Sequence, residues 1–390
     1  MSGRGTITLS FQTMEHPAYL CTLMLTYGCN LNCVYCFEKH KDPRKRMSTR
    51  TAKSIVDKEI HRIHDLNPDA VLKFDLFGGE PLLCFPLIKE LCEWAWQQDY
   101  PLRYYFSITT NGTLLNGDIK DWLRLHKERI SLVMSIDGNA DTQRKNRGCN
   151  SEQLPTEFIH DTWPESHLKA TASKDSLPTF GDDIIYWLER GYNIEGSIAM
   201  GVRWTKEDAQ TYKCELEKIA NYYLEHPSVV PMHIFNQPLA RVFTPQDEFP
   251  QINCGIGRTS VLYNYDGTEY PCHMLLPVTT SDPHTIDKIK DIDWTDNERF
   301  FDPECKVCAF RNLCRTCYGF NYNERGDVAH RDKSLCEMLL AENQVVSAYQ
   351  INYLTSVAAS RSLTDDETIA LEAALLCYDK YQDFHFTEVD

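Results

Sequence analysis

Residues 20–37, LCTLMLTYGCNLNCVYCF, decide the reading of this chain. An apolar run, Leu20 to Leu25, has the length and content of a buried strand. Cys29, Cys33 and Cys36 follow directly in Cx3Cx2C spacing, so three thiols share one loop at a strand end. Three thiolates leave a four-iron cube one iron short of protein ligands, and an open iron can bind a small molecule. A zinc site formed by the three cysteines and His40 is the competing reading of the spacing alone.

Outward from that loop, short apolar runs alternate with amphipathic stretches up to about residue 235, as in β-α units around a parallel sheet. Strands are expected at Leu20–Leu25, Leu72–Phe77, Tyr104–Thr109, Ile130–Ile136, His167–Ala172, Ile194–Val202 and Val229–Phe235. Helices are expected over 48–65, with Ser48 as N-cap, and over 86–97, 116–126, 180–190 and 205–225. No paired GxGxxG occurs, which favours a partial (β/α)6 TIM-like barrel over a dinucleotide fold and puts the chemistry at the strand C-terminal ends. Residues 139–165, with Gly148, Pro155 and Pro164, read as an extended loop over the barrel mouth. The expected organisation is an N-terminal extension (1–17), the barrel (18–235), a cysteine-rich domain (236–340) and a C-terminal helical segment (341–390).

The chain has 390 residues and a net charge of −16, which disfavours a nucleic-acid backbone as partner. No run is long and apolar enough to span a membrane, and the first residues lack an export signal, so the expected location is the cytoplasm. Sixteen cysteines are too many for packing alone, and a large chain of this kind does not need a disulfide scaffold. Cys21, Cys84, Cys92, Cys149, Cys214 and Cys377 are scattered and read as core residues. The other seven lie in spaced groups, Cys254 and Cys272, then Cys305-x2-Cys308-x5-Cys314-x2-Cys317, then Cys336. Pairs this close among turn residues read as metal thiolates, with zinc knuckles left open by spacing.

Cys29-Asn-Leu-Asn-Cys33-Val-Tyr-Cys36 resembles the motif of the radical SAM family. The resemblance implies a [4Fe-4S] cluster whose open iron is chelated by S-adenosyl-L-methionine, and reductive cleavage of that cofactor to a 5′-deoxyadenosyl radical. It also implies contacts at successive strand ends. Gly78 and Gly79 would allow close approach of backbone to ligand, and Glu80 would accept from the cofactor's ammonium group, although GGEP by itself is an ordinary tight turn. Asn111 lies in the Thr-Asn-Gly turn of the next strand. By the resemblance Ser135 bonds the ribose, Arg147 meets the carboxylate, with Arg144 and Lys145 beside it, and Tyr35 and Phe37 flank the adenine.

The downstream cysteines resemble the SPASM extension, which holds two auxiliary [4Fe-4S] clusters and brings the implied total to three. Carried over by position, Cys305, Cys308, Cys314 and Cys336 ligate the outer cluster, and Cys254, Cys272 and Cys317 the inner one. Only two residues separate Cys314 from Cys317, where the family commonly has three. Ser260 stands where some members have a further cysteine, so the inner cluster is expected to have three cysteine ligands. His273 follows Cys272 and reads either as a base or as a donor to a cluster sulfur.

SPASM proteins modify peptides or proteins. The leading expectation is a maturase of a ribosomally made peptide that forms an oxidative cross-link, a thioether or a C–C bond. Sulfatase maturation, oxidising Cys or Ser to formylglycine, and peptide epimerisation are the alternatives. The anaerobic sulfatase maturases carry aspartate where this chain has His273. Expected partners are the peptide, a flavodoxin- or ferredoxin-type electron donor and a separate leader-binding protein, since only about twenty residues precede the first strand. The barrel mouth, the 139–165 segment or a sheet edge would otherwise hold the peptide.

Overall fold

In β1 (Ala18–Thr26) side chains alternate between two cores. Cys21, Leu23 and Leu25 face a core shared with Ile55, Ile60 and Ile63. Met24 points the other way, among Leu262, Tyr270, Leu275 and Phe300. A strand buried on both faces reads as a continuous apolar run, which explains LCTLMLT. The computed structural model describes residues 18–386 except 246, 251, 253, 281, 283 and 385. The N-terminal extension expected over 1–17 lies outside the described residues.

The chain continues through α1 (Thr49–Leu66), β2 (Val71–Gly78), α2 (Phe85–Ala95), β3 (Arg103–Thr110), α3 (Gly117–Leu125), β4 (Ile130–Ser135), α4 (Ala140–Arg147), α5 (Thr156–Thr162), β5 (His167–Ala172), α6 (Phe180–Leu188), β6 (Asn193–Ile198) and α7 (Lys206–Glu225). Caps set the boundaries where the sequence placed them: the Ser48 hydroxyl accepts from the Thr51 N–H, and Thr205 and Asp208 form a capping box. The cysteine-rich part contributes β7 (Ser260–Tyr263), β8 (Glu269–Tyr270), α8 (Pro277–Thr280), α9 (Thr285–Ile289), α10 (Pro303–Val307) and α11 (Tyr318–Arg325). Two longer helices follow, α12 (Leu335–Ser360) and α13 (Asp365–Tyr381). Among the described residues no helix is long and apolar enough to cross a membrane.

All strands form one sheet in the order β6-β5-β4-β3-β2-β1-β7-β8, parallel except for the β7–β8 pair. This is the α/β partial barrel expected from the β-α alternation. β7 pairs with β1 from Leu20↔Ser260 to Leu23↔Tyr263, so the cysteine-rich segment extends the barrel sheet.

Three expectations of secondary structure are corrected, and Cys214, expected in the core, is exposed on α7. Residues 229–235 are not a strand. Pro231 removes a ladder donor, a 3-10 turn covers His233–Asn236, and the apolar side chains Met232 and Phe235 are buried. Phe235 packs against Tyr223 and Tyr349. β6 ends at Ile198 rather than continuing to Val202, because the chain turns through Gly201 at φ +78°, where a Cβ would meet the Phe320 ring at 2.3 Å.

The third correction concerns 139–165, which holds α4, a short turn and α5 in place of an extended loop. Asn139 caps α4, accepting from the Asp141 and Thr142 N–H groups, and Gly148 ends it at φ +76°. The helix hid from an apolar-periodicity reading because its buried face is polar: Thr142, Gln143, Asn146 and Arg147. Each of these four finds a polar partner in neighbouring segments.

Candidate active site

The three-cysteine loop leaves the C-terminal end of β1 and is fastened mainly by backbone. Gly79 N–H donates to the Thr26 carbonyl at 3.0 Å and Glu80 N–H to the Gly28 carbonyl at 2.9 Å. A Cβ on Gly79 would stand 2.3 Å from the Gly28 oxygen and 3.0 Å from the Cys29 Cβ. The Gly78-Gly79 pair is thus required by the close approach of two chain segments at the base of the loop. On the far side, Val34 N–H donates to the Asn146 carbonyl of α4, and His40 N–H to the Val278 carbonyl of α8. The His40 side chain is exposed.

Within the loop the Cys29 sulfur accepts from the Leu31 N–H at 3.4 Å. Burial raises the Cys29 thiol above its ordinary range, opposed by the Leu31 N–H and Lys41 and reinforced by Glu80 and Cys36. Burial likewise pushes Cys33 up to about 11, opposed by Arg147 and reinforced by Cys36, Asp137 and Cys29. Cys29 and Cys33 thus each lie within reach of the Cys36 sulfur, and Cys33 within reach of Cys29.

Around the loop, the residues proposed from sequence form a bonded frame. Glu80 is 1% exposed and accepts from Thr110 Oγ1 (2.7 Å), the Asn111 N–H (2.8 Å) and the Leu82 N–H (3.1 Å). Its carboxylate bolts the end of β2 to that of β3. Asn111 Nδ2 donates to Asn30 Oδ1 at 2.9 Å, tying the β3 turn to the cysteine loop. Ser135 closes β4.

Asp137, two residues beyond Ser135, organises the next contacts. It is 2% exposed and accepts from the Tyr35 hydroxyl (2.5 Å), Arg147 Nη2 (2.9 Å) and the Thr171 N–H (3.1 Å). The Arg147 guanidinium also lies over the Tyr35 ring at 5.5 Å. Arg144 pairs instead with Asp141 at the surface and Lys145 is exposed, which leaves Arg147 as the inward-facing cation of the three. Burial and the Asp137 carboxylate raise the Tyr35 hydroxyl well above its usual range, Arg147 opposing.

The seven downstream cysteines fall into two sets of neighbours that act on one another's charge. Cys272 is raised by burial and then by Cys317 and Cys254, and Cys317 is pushed up to about 11 by burial and Cys254. Cys336, pushed up to about 12 by burial, feels Cys314, Cys305 and Cys308. Cys317 therefore crosses from its sequence neighbours to the other set. The four-cysteine set lines a cavity of about 1440 Å³. There Arg331 Nη1 donates to the Cys314 sulfur at 2.9 Å and Lys333 Nζ to the Cys305 sulfur at 3.4 Å. Charge-assisted bonds to sulfur fit thiolates that carry a cluster. The sequence signal for these cations was their position just before Cys336, but only the fold aims them.

The three-cysteine set faces the barrel loop across His273. Cys272 caps a 3-10 turn over His273–Leu275, its sulfur accepting from the Met274 N–H at 3.3 Å. The half-buried His273 ring lies 5.1 Å from the Phe37 ring and 5.5 Å from that of Phe77. Burial, with Lys169 adding to it, lowers its affinity for a proton to a pKa of about 4. Phe37 thus contacts the second cysteine region. Among the described residues, no three His, Cys, Asp or Glu side chains converge at the spacing of a single metal ion.

Comparison with known proteins agrees with this geometry. Residues 23–154 match the family model of the Radical SAM superfamily. Over 189 residues the chain is 27% identical to the radical SAM cyclopropyl synthase TigE of Paramaledivibacter caminithermalis, covering 44% of this chain and 39% of that protein. Over 370 residues it is 24% identical to the antilisterial bacteriocin subtilosin biosynthesis protein AlbA of Bacillus subtilis, covering 86% and 74%. The chain spans 33–39% of the length of the first curated relatives it matches. The solved structure of native anSMEcpe with bound AdoMet and Cp18Cys peptide superposes with a TM-score of 0.64 at 19% identity, covering 88% of this chain and 99% of that one. At that identity the likeness shows the fold. Residues 23–154 of this chain thus form a radical SAM domain.

Proposed function

We propose that the chain is a radical SAM/SPASM peptide maturase that abstracts hydrogen from a residue of a ribosomally made peptide and forms an oxidative cross-link, a thioether or a C–C bond. Residues 18–235 would form the radical-generating barrel, 236–340 the auxiliary cluster domain and 341–390 the helical segment. The observation that carries this reading is the division of ten cysteines into three separate groups, with the first and the inner set on either side of the Phe37–His273 contact.

Cys29, Cys33 and Cys36 would hold the first [4Fe-4S] cluster, Cys254, Cys272 and Cys317 the inner auxiliary cluster, and Cys305, Cys308, Cys314 and Cys336 the outer one. When bound, the first cluster and S-adenosyl-L-methionine supply a 5′-deoxyadenosyl radical. The protein's part is to bind and orient. Arg147, fixed by Asp137 and Tyr35, offers a cation toward the cofactor carboxylate. Ser135, at the end of β4, stands at the ribose position. Glu80 and Asn111 keep the loop bearing the thiols in register with the strand ends.

Cross-linking removes one hydrogen atom from the peptide to form 5′-deoxyadenosine. The remaining substrate radical then gives up one electron and, as the new bond closes, one proton. The inner set, three thiols with room for a non-cysteine ligand, suits a role as electron acceptor or substrate anchor. A flavodoxin- or ferredoxin-type donor would return electrons to the first cluster, and a separate protein would present the leader.

The test is anaerobic reconstitution, iron and sulfide analysis, and dithionite-driven turnover. Formation of 5′-deoxyadenosine is expected; zinc without sulfide, or no cofactor cleavage, refutes the reading. Mass spectrometry of peptides after turnover then separates a loss of two hydrogens from epimerisation, which leaves the mass unchanged, and from formylglycine formation, which replaces cysteine sulfur by oxygen.

A further inference from the structure

Side chains of a strand alternate between two faces, and along β5 the buried residues Leu168, Ala170 and Ala172 face the helices. His167, Lys169 and Thr171 therefore face the interior of the partial barrel. Register extends that inner face sideways: Lys169 pairs with Ser135 on β4 and with Glu195 on β6. On β2 and β3 the same face carries Lys73 beside Tyr105, and Asp75 beside Ser107. An inner face this polar does not pack as an apolar core; it is the wall of a cleft.

Lys169 and Lys73 are the cations of that wall that make no ion pair at bonding distance, and Lys169 is the one nearer Ser135 in register. The Glu195 carboxylate is turned to the His233 N–H, accepting at 2.9 and 3.0 Å. Asp137 is engaged by Arg147, and Asp75 accepts from Ser107 at 2.9 Å. Among the described residues the Lys169 ammonium makes no hydrogen bond or ion pair, and the residue is exposed. One carboxylate, Asp75, and two further cations, Lys73 and Arg147, lie within reach of its charge. So does the His273 ring. Lys169 thus stands between Ser135 and Arg147 on one side and the inner cysteine set on the other.

We infer that Lys169 is a specificity-determining residue that binds a carboxylate of the peptide substrate, the side chain of an Asp or Glu near the residue that reacts, and so holds that residue between the two cysteine sites. This rests on the proposed peptide-maturase reading. A substrate carboxylate would complete the ion pair that the fold withholds through a charge-assisted bond. The same chemistry is available from the carboxylate of S-adenosylmethionine, so the test separates the two sources.

Reconstituted full-length chain saturated with S-adenosylmethionine is used to select from a random seven-residue peptide library, in wild type, Lys169→Gln and Lys169→Glu. Wild type should enrich Asp or Glu over Asn or Gln at one position by about tenfold, the worth of a charge-assisted bond. The Gln variant should lose that preference, and the Glu variant should turn it toward Lys or Arg, a reversal that general damage to the fold cannot produce. Equal acidic enrichment in all three proteins, or none in wild type, overturns the inference. A weakened S-adenosylmethionine affinity in the Gln variant with unchanged peptide selection overturns it too, assigning Lys169 to the cofactor. Circular dichroism and iron content verify folding, and Lys169→Arg, which keeps the charge, should retain the acidic preference. Wild-type yield of 5′-deoxyadenosine with dithionite tests the underlying reading separately.

Discussion

The barrel cysteine loop and the outer cysteine set meet the problem of concentrated thiolate charge in opposite ways. In the loop, backbone contacts fix the sulfurs, and the neighbouring cations are engaged elsewhere, Arg147 with Asp137 and Lys41 with the Leu31 carbonyl. In the outer set, Arg331 and Lys333 bond directly to sulfur, and Arg331 is itself 5% exposed and stacked 4.1 Å over Phe301. The difference suits two tasks. Under the proposed function, the first site accepts a charged ligand and keeps its cations off the sulfurs, while the outer site only stores electrons and can neutralise its thiolates permanently.

The largest expected effect breaks the first side of this contrast alone. Cys33→Ala should reduce 5′-deoxyadenosine formation by well over the roughly 100-fold that changes outside the ligand set cost. It should leave the electron paramagnetic resonance signal of the outer set in place. Loss of both signals together would show that the regions are not independent.

Next is the backbone fastening. Gly79→Ala forces a Cβ onto the Gly28 oxygen, and should destabilise the barrel loop by about 3 kcal/mol. The checks are a lower thermal midpoint and iron lost selectively from the first site. An unchanged midpoint with full iron content would show that the loop is held by something other than this close approach.

On the other side, Arg331→Met removes a charge-assisted bond from the Cys314 sulfur. The reduced, more negative form of the proposed outer cluster would then be less stabilised, and its potential should fall on the order of 60 mV. A redox titration followed by electron paramagnetic resonance measures it, with the first site unmoved.

The smallest effect is remote from both regions. Glu367 accepts from Arg361 at 2.6 and 2.7 Å and from the Thr364 N–H at 2.9 Å, and Arg361 first among these draws its carboxyl down to about 2. Because the folded value lies below the unfolded value of roughly 4.3, its stabilisation is complete above the unfolded value and is lost as pH falls toward 2. Glu367→Gln should cost about 1 kcal/mol near neutral pH and progressively less on acidification, while changing neither cysteine region. Thermal midpoints across pH test this.

Much of the site was legible because its signals are local. Cysteine spacing follows from how one loop wraps one cluster, and strand ends announce themselves through Gly78-Gly79 and Ser135-Ile136-Asp137. What failed to read were segments whose burial is polar or cooperative. α4 carries no apolar stripe because Gln143, Asn146 and Arg147 are buried against polar partners. Residues 229–235 were apolar for tertiary packing and mimicked a strand.

The sequence by itself determined which atoms are available: ten grouped thiols, a β-α alternation, and caps at Ser48, Thr205 and Thr364 that start helices through contacts within a few residues. Only the tertiary structure decided which distant groups meet. That Cys317 leaves Cys314 for Cys254 and Cys272, that Asp137 joins Tyr35 to Arg147, and that the Lys169 ammonium has no carboxylate at bonding distance while Glu195 turns to His233, all depend on register between elements far apart in the chain. Spacing encodes local closure, but which charges are compensated is settled only when the strands and helices dock.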